Sequence, residues 1–288
     1  MILHYLKIAF RNLCKHKTQN IISIIGLAVG LLCFCVCIYC SRFVESTDHC
    51  FANHDRIAEL NLYDGKADRY FSGSPVPLAE ELRTWALGET EAISSVTYPR
   101  ERPYYVELSP EKTLPYELET IEIDTCYNKI FTPEMVAGHW KMASQSLNSV
   151  ILSQSMAIKI FGNAESAIGK HMTLMRRLNT SPESTPKTGG IVYTIQAVMK
   201  DIPLNNSLDF MQNIDMLTVN DSEGLLQSPK RHNMTGANTY VLLSPQTTCT
   251  DLEKQFFQRD YTYTLYGEAY TVTANSMGAT LKKQGTSY

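Results

Sequence analysis

The stretch "NSVILSQSMAIKIFGNAESAIGKHM", residues 148–172, decides the fold because it holds a strand, a helix and a turn in succession. "NSVILS" predicts a short strand. Ser153 is suited to cap the helix that follows, apolar residues recur at helical spacing up to Phe161, and Gly162 is expected to end it. The chain then turns at residues 168–170 into the next strand.

The glycines of this stretch superficially suggest a nucleotide site. A phosphate-binding loop places four residues between its first Gly and the Gly-Lys pair, and then a Ser or Thr for magnesium. Here six residues separate Gly162 from Gly169, and His171 follows Lys170. The spacing therefore predicts a structural turn, and no cofactor is expected.

Further strands and helices extend in both directions from this stretch, without a strict alternation of the two. The segments with strand patterns are "RIAELNLY", "AISSVTYPR", "YYVELS", "YELETIEID", "IVYTIQAVMK", "TYVLLS" and "YTYTLYGEAYTVT". "YYVELS" and "YELETIEID" are expected to form a hairpin around "PEKTLP", and "SPVPLAEELRTWAL" to contain a helix. This mixture predicts an α+β fold of two subdomains, with residues 100–190 or so inserted.

The N-terminal region contains "IISIIGLAVGLLCFCVCIYC", in which Ser23 is the only clearly polar residue. At 1.5 Å per residue this segment makes about 30 Å of helix, the thickness of a bilayer's hydrocarbon core. It is longer than the apolar part of a signal peptide and lacks a small-residue cleavage site. We therefore predict a transmembrane helix at residues 20–42 and an extracytoplasmic domain at 43–288.

Charge is divided unevenly along the chain. Residues 1–42 contain five basic and no acidic residues, whereas the remainder holds all 29 acids and 21 of the 26 bases. The basic flank places the N-terminus in the cytoplasm. The acidic excess in the large domain argues against a nucleic-acid partner.

Two features of the N-terminal region leave alternatives open. Residues 1–19 have the pattern of a basic amphipathic helix on the cytoplasmic surface of the lipid bilayer, although a solvated basic flank would look the same. Gly26 and Gly30 form a G-x-x-x-G pair that would let a second membrane helix approach, but such pairs also occur by chance in apolar segments.

Candidate chemistry outside the membrane is sparse. "DHCFANHD", residues 48–55, crowds two His, one Cys and two Asp, and Cys50 and His54 would share a helical face. No second ligand pair lies at a typical spacing, so a polar linker is favoured over a metal site. No catalytic residue is nominated, and Cys50, Cys126 and Cys249 allow one disulfide at most.

Four segments, in order, resemble the MacB/FtsX-type ABC transporter permeases. They are "YLKIAFRNLCKHKTQNIISIIGLAVGL", "FANHDRIAEL", "VILSQSMAIKIFGNAESAIGK" and "YTIQAVMKDIPLNNSLDF". The positions that match the family's motifs are Arg11, Asn12, Asp55, Arg56, Phe161, Gly162, Gly169, Asp201, Pro203, Asn206 and Ser207. Ala58, Ala197 and Leu208 depart from the family's usual aromatic, Gly and His.

The resemblance implies a function in the cell inner membrane. A separate cytoplasmic ABC ATPase subunit would hydrolyse ATP, so this chain itself would not be an enzyme. Its external domain, paired with that of a second permease subunit, would transmit the motion through residues 42–56. The cargo would be exported or extracted from the membrane, with an envelope protein or lipoprotein among the substrates.

The number of spans differs from that family. Its permeases continue into further spans, whereas no apolar run approaching 18 residues follows Cys40. We expect the first part of a longer permease, a truncated product or a one-span relative. The alternative functions are a single-span envelope sensor or assembly protein that needs no ATPase, and a membrane-anchored hydrolase.

Overall fold

The computed structural model describes residues 15, 17–71, 73–85, 87–109, 112–174, 190–208, 213–222, 224–227 and 235–277. The chain divides into two compact units, of which the second begins at Asp48. Most of the predicted cytoplasmic helix, including Arg11 and Asn12, lies outside the described residues.

The first unit contains one long helix, α1 (Lys17–Glu45). It begins three residues before the predicted span of residues 20–42 and ends three residues after it. None of its residues is buried, and apolar side chains such as Leu27 and Leu32 are about two-thirds exposed. A helix in the core of a soluble protein would be buried on one side at least, so the helix is suited by length, apolarity and exposure to cross a membrane.

The second unit is built on one connected sheet, which confirms the predicted α+β class. Its described strands are β1 (Ile57–Asp64), β2 (Arg69–Tyr70), β3 (Ser74–Pro75), β4 (Thr90–Thr97), β5 (Arg100–Ser109), β6 (Lys112–Ile123), β7 (Met135–Gly138), β8 (Ser149–Ser153), β9 (His171–Leu174), β10 (Ile191–Met199), β11 (Met216–Val219), β12 (Thr235–Leu243), β13 (Thr262–Leu265) and β14 (Glu268–Ser276). The described helices are α2 (Leu78–Thr84), α3 (Tyr127–Phe131), α4 (Trp140–Gln145), α5 (Gln154–Phe161) and α6 (Cys249–Gln258), with 3-10 turns at His54–Arg56 and Glu165–Ala167.

Six of the strands close into a barrel. The path β11-β8-β10-β9-β5-β6 returns to its start because β11 also pairs with β6, in parallel, with Met216 opposite Thr120 and Val219 opposite Ile123. Closure removes the two free edges that these strands would otherwise present. From β6 the sheet continues as the antiparallel series β4-β12-β1-β14-β13.

The apolar core follows this division of the sheet. One cluster lies in and beside the barrel and draws on residues 104–216, including Tyr104, Tyr193 and the apolar face of α5. A second cluster is formed by residues 58–93 and 241–274. A third lies around Phe131 and Tyr240. An inserted subdomain near residues 100–190 remains a proposal, which the separate barrel cluster supports.

The stretch at residues 148–172 has the predicted structure. Ser153 caps α5 by accepting a hydrogen bond from the Met156 N–H, and Gly162 ends the helix with φ of 86°. Gly169 has φ of 77°, and its N–H donates to the Ile195 carbonyl at 2.8 Å. Both glycines therefore occupy the left-handed region, which L side chains rarely adopt.

One local prediction was wrong. "PEKTLP" was expected to be a hairpin loop, but β6 begins at Lys112, and Leu114 and Pro115 pair with Val106 and Tyr105. Cross-strand pairing with the adjacent strand β5 overrides the turn signal of the two prolines. The sequence patterns also left α6 unpredicted, although Thr248 and Asp251 form a capping box at its start.

Candidate functional site

The best-defined polar site of the domain lies where the chain enters it. Asp48, three residues after the end of α1, is buried and has φ of 70°. Its N–H donates to the Asn205 carbonyl at 3.2 Å, and its Oδ1 accepts the Ser207 N–H at 2.6 Å. We call this reciprocal pairing of Asp48 with residues 205 and 207 the clasp.

Asn206 shapes the chain on the other side of the clasp. Its Nδ2 donates to the Pro203 carbonyl at 2.6 Å, and its Oδ1 accepts the Leu208 N–H at 2.9 Å. The side chain thereby fixes the turn that presents residues 205 and 207 to Asp48. Leu208, which stands where the resembled family has His, is 5% exposed and packs in the apolar cluster around Phe131.

Asp201 joins the same segment to the stretch that decides the fold. Its Oδ1 accepts the Ser155 N–H at 3.0 Å and the Ser155 hydroxyl at 3.1 Å. A carboxylate at the first turn of a helix is favourable because N–H groups there lack helical partners. Asp201 therefore connects the clasp to the start of α5.

Arg56 anchors the segment that follows the clasp. Its guanidinium donates to Glu91 Oε1 at 2.9 Å, to the Leu243 carbonyl at 3.1 Å and to Asn53 Oδ1 at 3.1 Å. These contacts join the 3-10 turn to the ends of β4 and β12. Asp55 points to solvent, with its Oδ1 3.2 Å from His54 Nε2.

The predicted family positions are thus only partly brought together. Asp201, Pro203, Asn206 and Ser207 lie in one short segment against Asp48. Phe161 and Gly162 lie at the opposite end of α5 from Asp201, and Gly169 lies against β10. Gly26 and Gly30 are on α1, where a Cβ added to either would meet no described heavy atom within 4 Å, and their role in helix packing remains a prediction.

Two shallow pockets flank the segment Asp201–Pro203. One, of about 380 Å³, is lined by Cys50, Phe51, Tyr127 and Phe131 among others, and the second, of about 370 Å³, extends toward Asp215. The Phe51 and Phe131 rings meet edge to face with centroids 5.3 Å apart. The segment is therefore bordered by a pocket with an aromatic wall and by a second pocket that ends at a carboxylate.

The His- and Cys-rich linker has no arrangement typical of a metal site. The His49 and His54 rings are 4.5 Å apart, and within the described ranges no three His, Cys, Asp or Glu side chains are placed to share a metal ion. Cys50, Cys126 and Cys249 are free. Burial raises the pKa of the Cys50 and Cys249 thiols, which favours their protonated form.

The sequence patterns did not predict that Asp48 binds residues 205 and 207. Asp48 stood out only as a member of an acidic and His-rich run, because its partners are backbone groups 157 and 159 residues away and backbone groups leave no sequence signal. A pair of buried carboxylates, Glu122 and Asp221, was likewise not predicted. It lies at one end of the barrel, and its members are 6% and 1% exposed.

Comparisons with known proteins identify the fold. No protein-family model matches the sequence, and no curated protein matches it either. A domain of a putative permease protein from Porphyromonas gingivalis is similar, with 20% identity over 79% of this chain and 93% of that chain, and a TM-score of 0.59. The periplasmic region of MacB from Actinobacillus actinomycetemcomitans is similar at 12% identity, covering 85% of this chain and 98% of that chain, with a TM-score of 0.52.

The second unit therefore has the fold of an extracytoplasmic permease domain. More particularly, it has the fold of a MacB-like periplasmic domain. The resemblance expected from the four sequence segments is confirmed at the level of the fold.

Proposed function

We propose that this chain is the membrane-anchored part of an ABC transporter permease in the cell inner membrane. In this proposal α1 crosses the bilayer with its N-terminus in the cytoplasm, and the domain from Asp48 onward is extracytoplasmic. A separate cytoplasmic ABC ATPase subunit supplies the energy, and a second permease subunit completes the unit. The fold of a MacB-like periplasmic domain, directly following an exposed apolar helix, supports it.

The observation that carries a mechanical function is the clasp. A domain that follows the motion of a helix needs a stiff connection, because a flexible linker absorbs displacement. Only Ser46 and Thr47 separate α1 from Asp48, and the hydroxyls of both donate to the Phe43 carbonyl. Asp48 in turn forms two hydrogen bonds, one through its N–H and one through its carboxylate, with residues 205 and 207. The same segment contains Asp201, which accepts the Ser155 N–H at the start of α5.

The clasp segment and the turn that follows Asp48 are also bonded to the rest of the domain. Arg56 ties the next turn to β4 and β12, and Asp201 ties the clasp segment to α5. A pull on residue 48 would therefore be distributed over the barrel and the antiparallel strands. We infer that ATP-driven motion reaches the external domain through this route and serves the export of a cargo or its extraction from the membrane.

The first experiment tests the partner. The full chain, tagged and purified from native membranes in mild detergent, is expected to bring with it an ATPase that carries G-x-x-x-x-G-K-[ST]. Recovery without such an ATPase in several detergents would contradict the proposal and would favour a single-span envelope sensor or binding protein.

The second experiment tests the coupling. In the purified complex, the separation of two external domains is measured by spin labels on exposed positions, with and without ATP. We expect ATP to change that separation in the native chain and in Asp48→Asn, which keeps an acceptor, and to change it much less in Asp48→Ala. An equal ATP response in all three would show that the clasp does not transmit the motion.

A further inference from the structure

The antiparallel part of the sheet ends in a strand that has a neighbour on one side only. β13 pairs with β14 and is the last strand of the path β4-β12-β1-β14-β13. Among the residues that the structure describes, no other strand pairs with it. An edge strand presents unpaired backbone N–H and C=O groups, and these groups can bind another extended strand.

The register of the hairpin shows which groups of β13 are unpaired. Both residues of the turn 266–267 have positive φ, as in a two-residue hairpin turn, so the closing pair Leu265 and Glu268 exchanges both hydrogen bonds. Hydrogen-bonded and non-hydrogen-bonded pairs alternate along an antiparallel ladder. The backbone N–H and C=O groups of Thr262 and Thr264 therefore point away from β14.

The chain protects the neighbouring part of this edge but not β13. Beyond Thr271, where the pairing with β13 ends, Glu253 of α6 accepts the Ala274 N–H of β14 at 2.9 Å. β13 itself contains no charged residue and no proline, the residues that commonly keep an exposed edge from pairing. Its exposed side chains are those of Thr262 and Thr264.

Exposed aromatic side chains lie near both ends of β13. Phe257, in the last turn of α6, is 87% exposed, and Tyr266, in the hairpin turn, is 67% exposed. The Asp260 N–H donates to the Phe257 carbonyl at 3.0 Å and so closes the turn that leads into β13. Aromatic residues are enriched in protein interfaces, so their exposure beside a free edge favours a protein partner.

A second copy of the same strand would satisfy the free groups completely. When two β13 strands run antiparallel about a two-fold axis at Tyr263, Thr262 of each copy lies opposite Thr264 of the other. Both pairs then have the hydrogen-bonded spacing, and their four bonds use every N–H and C=O group that points outward. Threonine pairs across strands are favourable, and no charged side chain of β13 meets its own copy.

The charges next to β13 are complementary in this arrangement. The turn before the strand carries Arg259 and Asp260, and the hairpin after it carries Glu268, which contacts Lys66. In an antiparallel pair, the first end of one copy meets the second end of the other. One base and one acid then face one base and one acid, so identical copies meet without net repulsion.

We propose that β13 is a contact between two copies of this chain, in which the two edge strands pair antiparallel and join the two sheets. This pairing identifies the second permease subunit of the proposed function as a second copy, and to that extent it rests on that function. A four-residue edge buries far less than the roughly 1,200 Å² of a stable interface. The contact is therefore reversible, as external domains that separate and rejoin require.

Disulfide crosslinking of the full chain in mild detergent tests the pairing. Cys50→Ser, Cys126→Ser and Cys249→Ser first remove the free thiols of the domain. In that background, Thr262→Cys combined with Thr264→Cys places thiols on facing residues whose Cα atoms are about 5.5 Å apart, within the range of a disulfide. With copper phenanthroline as oxidant we expect a covalent dimer, and mass spectrometry identifies the joined peptides.

Thr271→Cys in the same background is the matched control. Thr271 is also exposed and lies opposite Thr262, but on β14, one strand away from the free edge. In the paired dimer its two thiols would be three strand spacings apart, at least about 14 Å, so no crosslink is expected. The background chain without added cysteines shows how much dimer arises from the cysteines of α1.

Sedimentation in detergent measures the strength of the contact. We expect the native chain to shift from monomer to dimer as its concentration rises. Thr264→Lys should weaken this association at least about tenfold, because a lysine on an edge strand opposes pairing. Thr271→Lys adds the same charge one strand away and should change the association little.

Four results would each overturn the pairing. In the first, the double-cysteine variant crosslinks no more than Thr271→Cys, and in the second, Thr264→Lys and Thr271→Lys associate equally well. In the third, the thiols of the double variant crosslink in native membranes to a different protein. In the fourth, the amides of Thr262 and Thr264 exchange slowly in the monomer, which would show that another segment of the chain covers the edge.

The outcome at β13 is independent of the search for an ATPase. Copurification of an ATPase without crosslinking at β13 would overturn this contact alone. Crosslinking at β13 without an ATPase in any detergent would contradict the proposed transporter function alone. The two failures are therefore distinguishable.

Discussion

The clasp and the end of the barrel use the same device in two different settings. In each, a buried carboxylate accepts backbone N–H groups from a loop far away in sequence. Asp48 exchanges its bonds with backbone groups of residues 205 and 207, whereas Glu122 also faces the second carboxylate of Asp221. The comparison shows that one kind of contact, a buried carboxylate that accepts backbone N–H groups, fastens loops at two separate places in the domain.

The largest expected effect concerns the barrel end. Gly224→Ala would place a methyl group into the Glu122 carboxylate, and we expect a loss of about 3 kcal/mol in the free energy of unfolding. Trp85 and Trp140 both lie in the domain, so tryptophan fluorescence during denaturation in detergent measures it. Gly88→Ala, where no atom lies within 4 Å, is the matched control. Equal stability of the two variants would contradict the close fit at Gly224.

The next effect concerns the clasp. Asp48→Ala removes the acceptor of the Ser207 N–H and places Ala in the left-handed region, so we expect a loss of about 2 kcal/mol in the free energy of unfolding. Asp48→Asn keeps an acceptor and tolerates that backbone conformation, and it should lose about half as much. The same fluorescence measurement compares them, and identical curves for both would show that the hydrogen bond contributes little.

A smaller effect is expected where the clasp segment meets α5. Asp201→Ala leaves the Ser155 N–H without its carboxylate, which should cost about 1 kcal/mol, as for the loss of a helix cap. Asp201→Asn retains the acceptor and should stay closer to the native value. Hydrogen exchange of a peptide covering residues 153–161 localises the change. A loss of protection confined to other parts of the domain would argue against a capping role.

The smallest effect is expected at the surface ion pair beside the clasp. Glu91→Ala removes one partner of Arg56, but both side chains are about a third exposed or more, so we expect less than about 0.5 kcal/mol. Arg56→Ala also loses the bonds to the Leu243 carbonyl and Asn53, and it should cost about 1 kcal/mol. Denaturation curves rank the two variants, and a larger loss for Glu91→Ala would reverse our assignment of the anchoring contact.

The sequence predicted those parts of the fold that local signals specify. Ser153 and Gly162 bound α5 as expected because capping depends on residues within one turn of each other. The hairpin of β13 and β14 was predicted for a similar reason, since Tyr266 and Gly267 connect two adjacent alternating segments. Within the candidate site, the family resemblance singled out Asp201, Asn206 and Ser207. It did not predict the contacts that these residues make.

By itself, the sequence determined the long apolar helix, the α+β class and the ends of α5, because hydrophobicity and capping are properties of neighbouring residues. Only the tertiary structure decided the closure of the barrel by β6 and β11, the clasp at Asp48 and the meeting of Glu122 with Asp221. These features join residues about 100 or more positions apart, and each depends on backbone N–H groups or on burial. A backbone group is the same in every residue, and burial depends on the whole fold, so neither can be read from the local sequence.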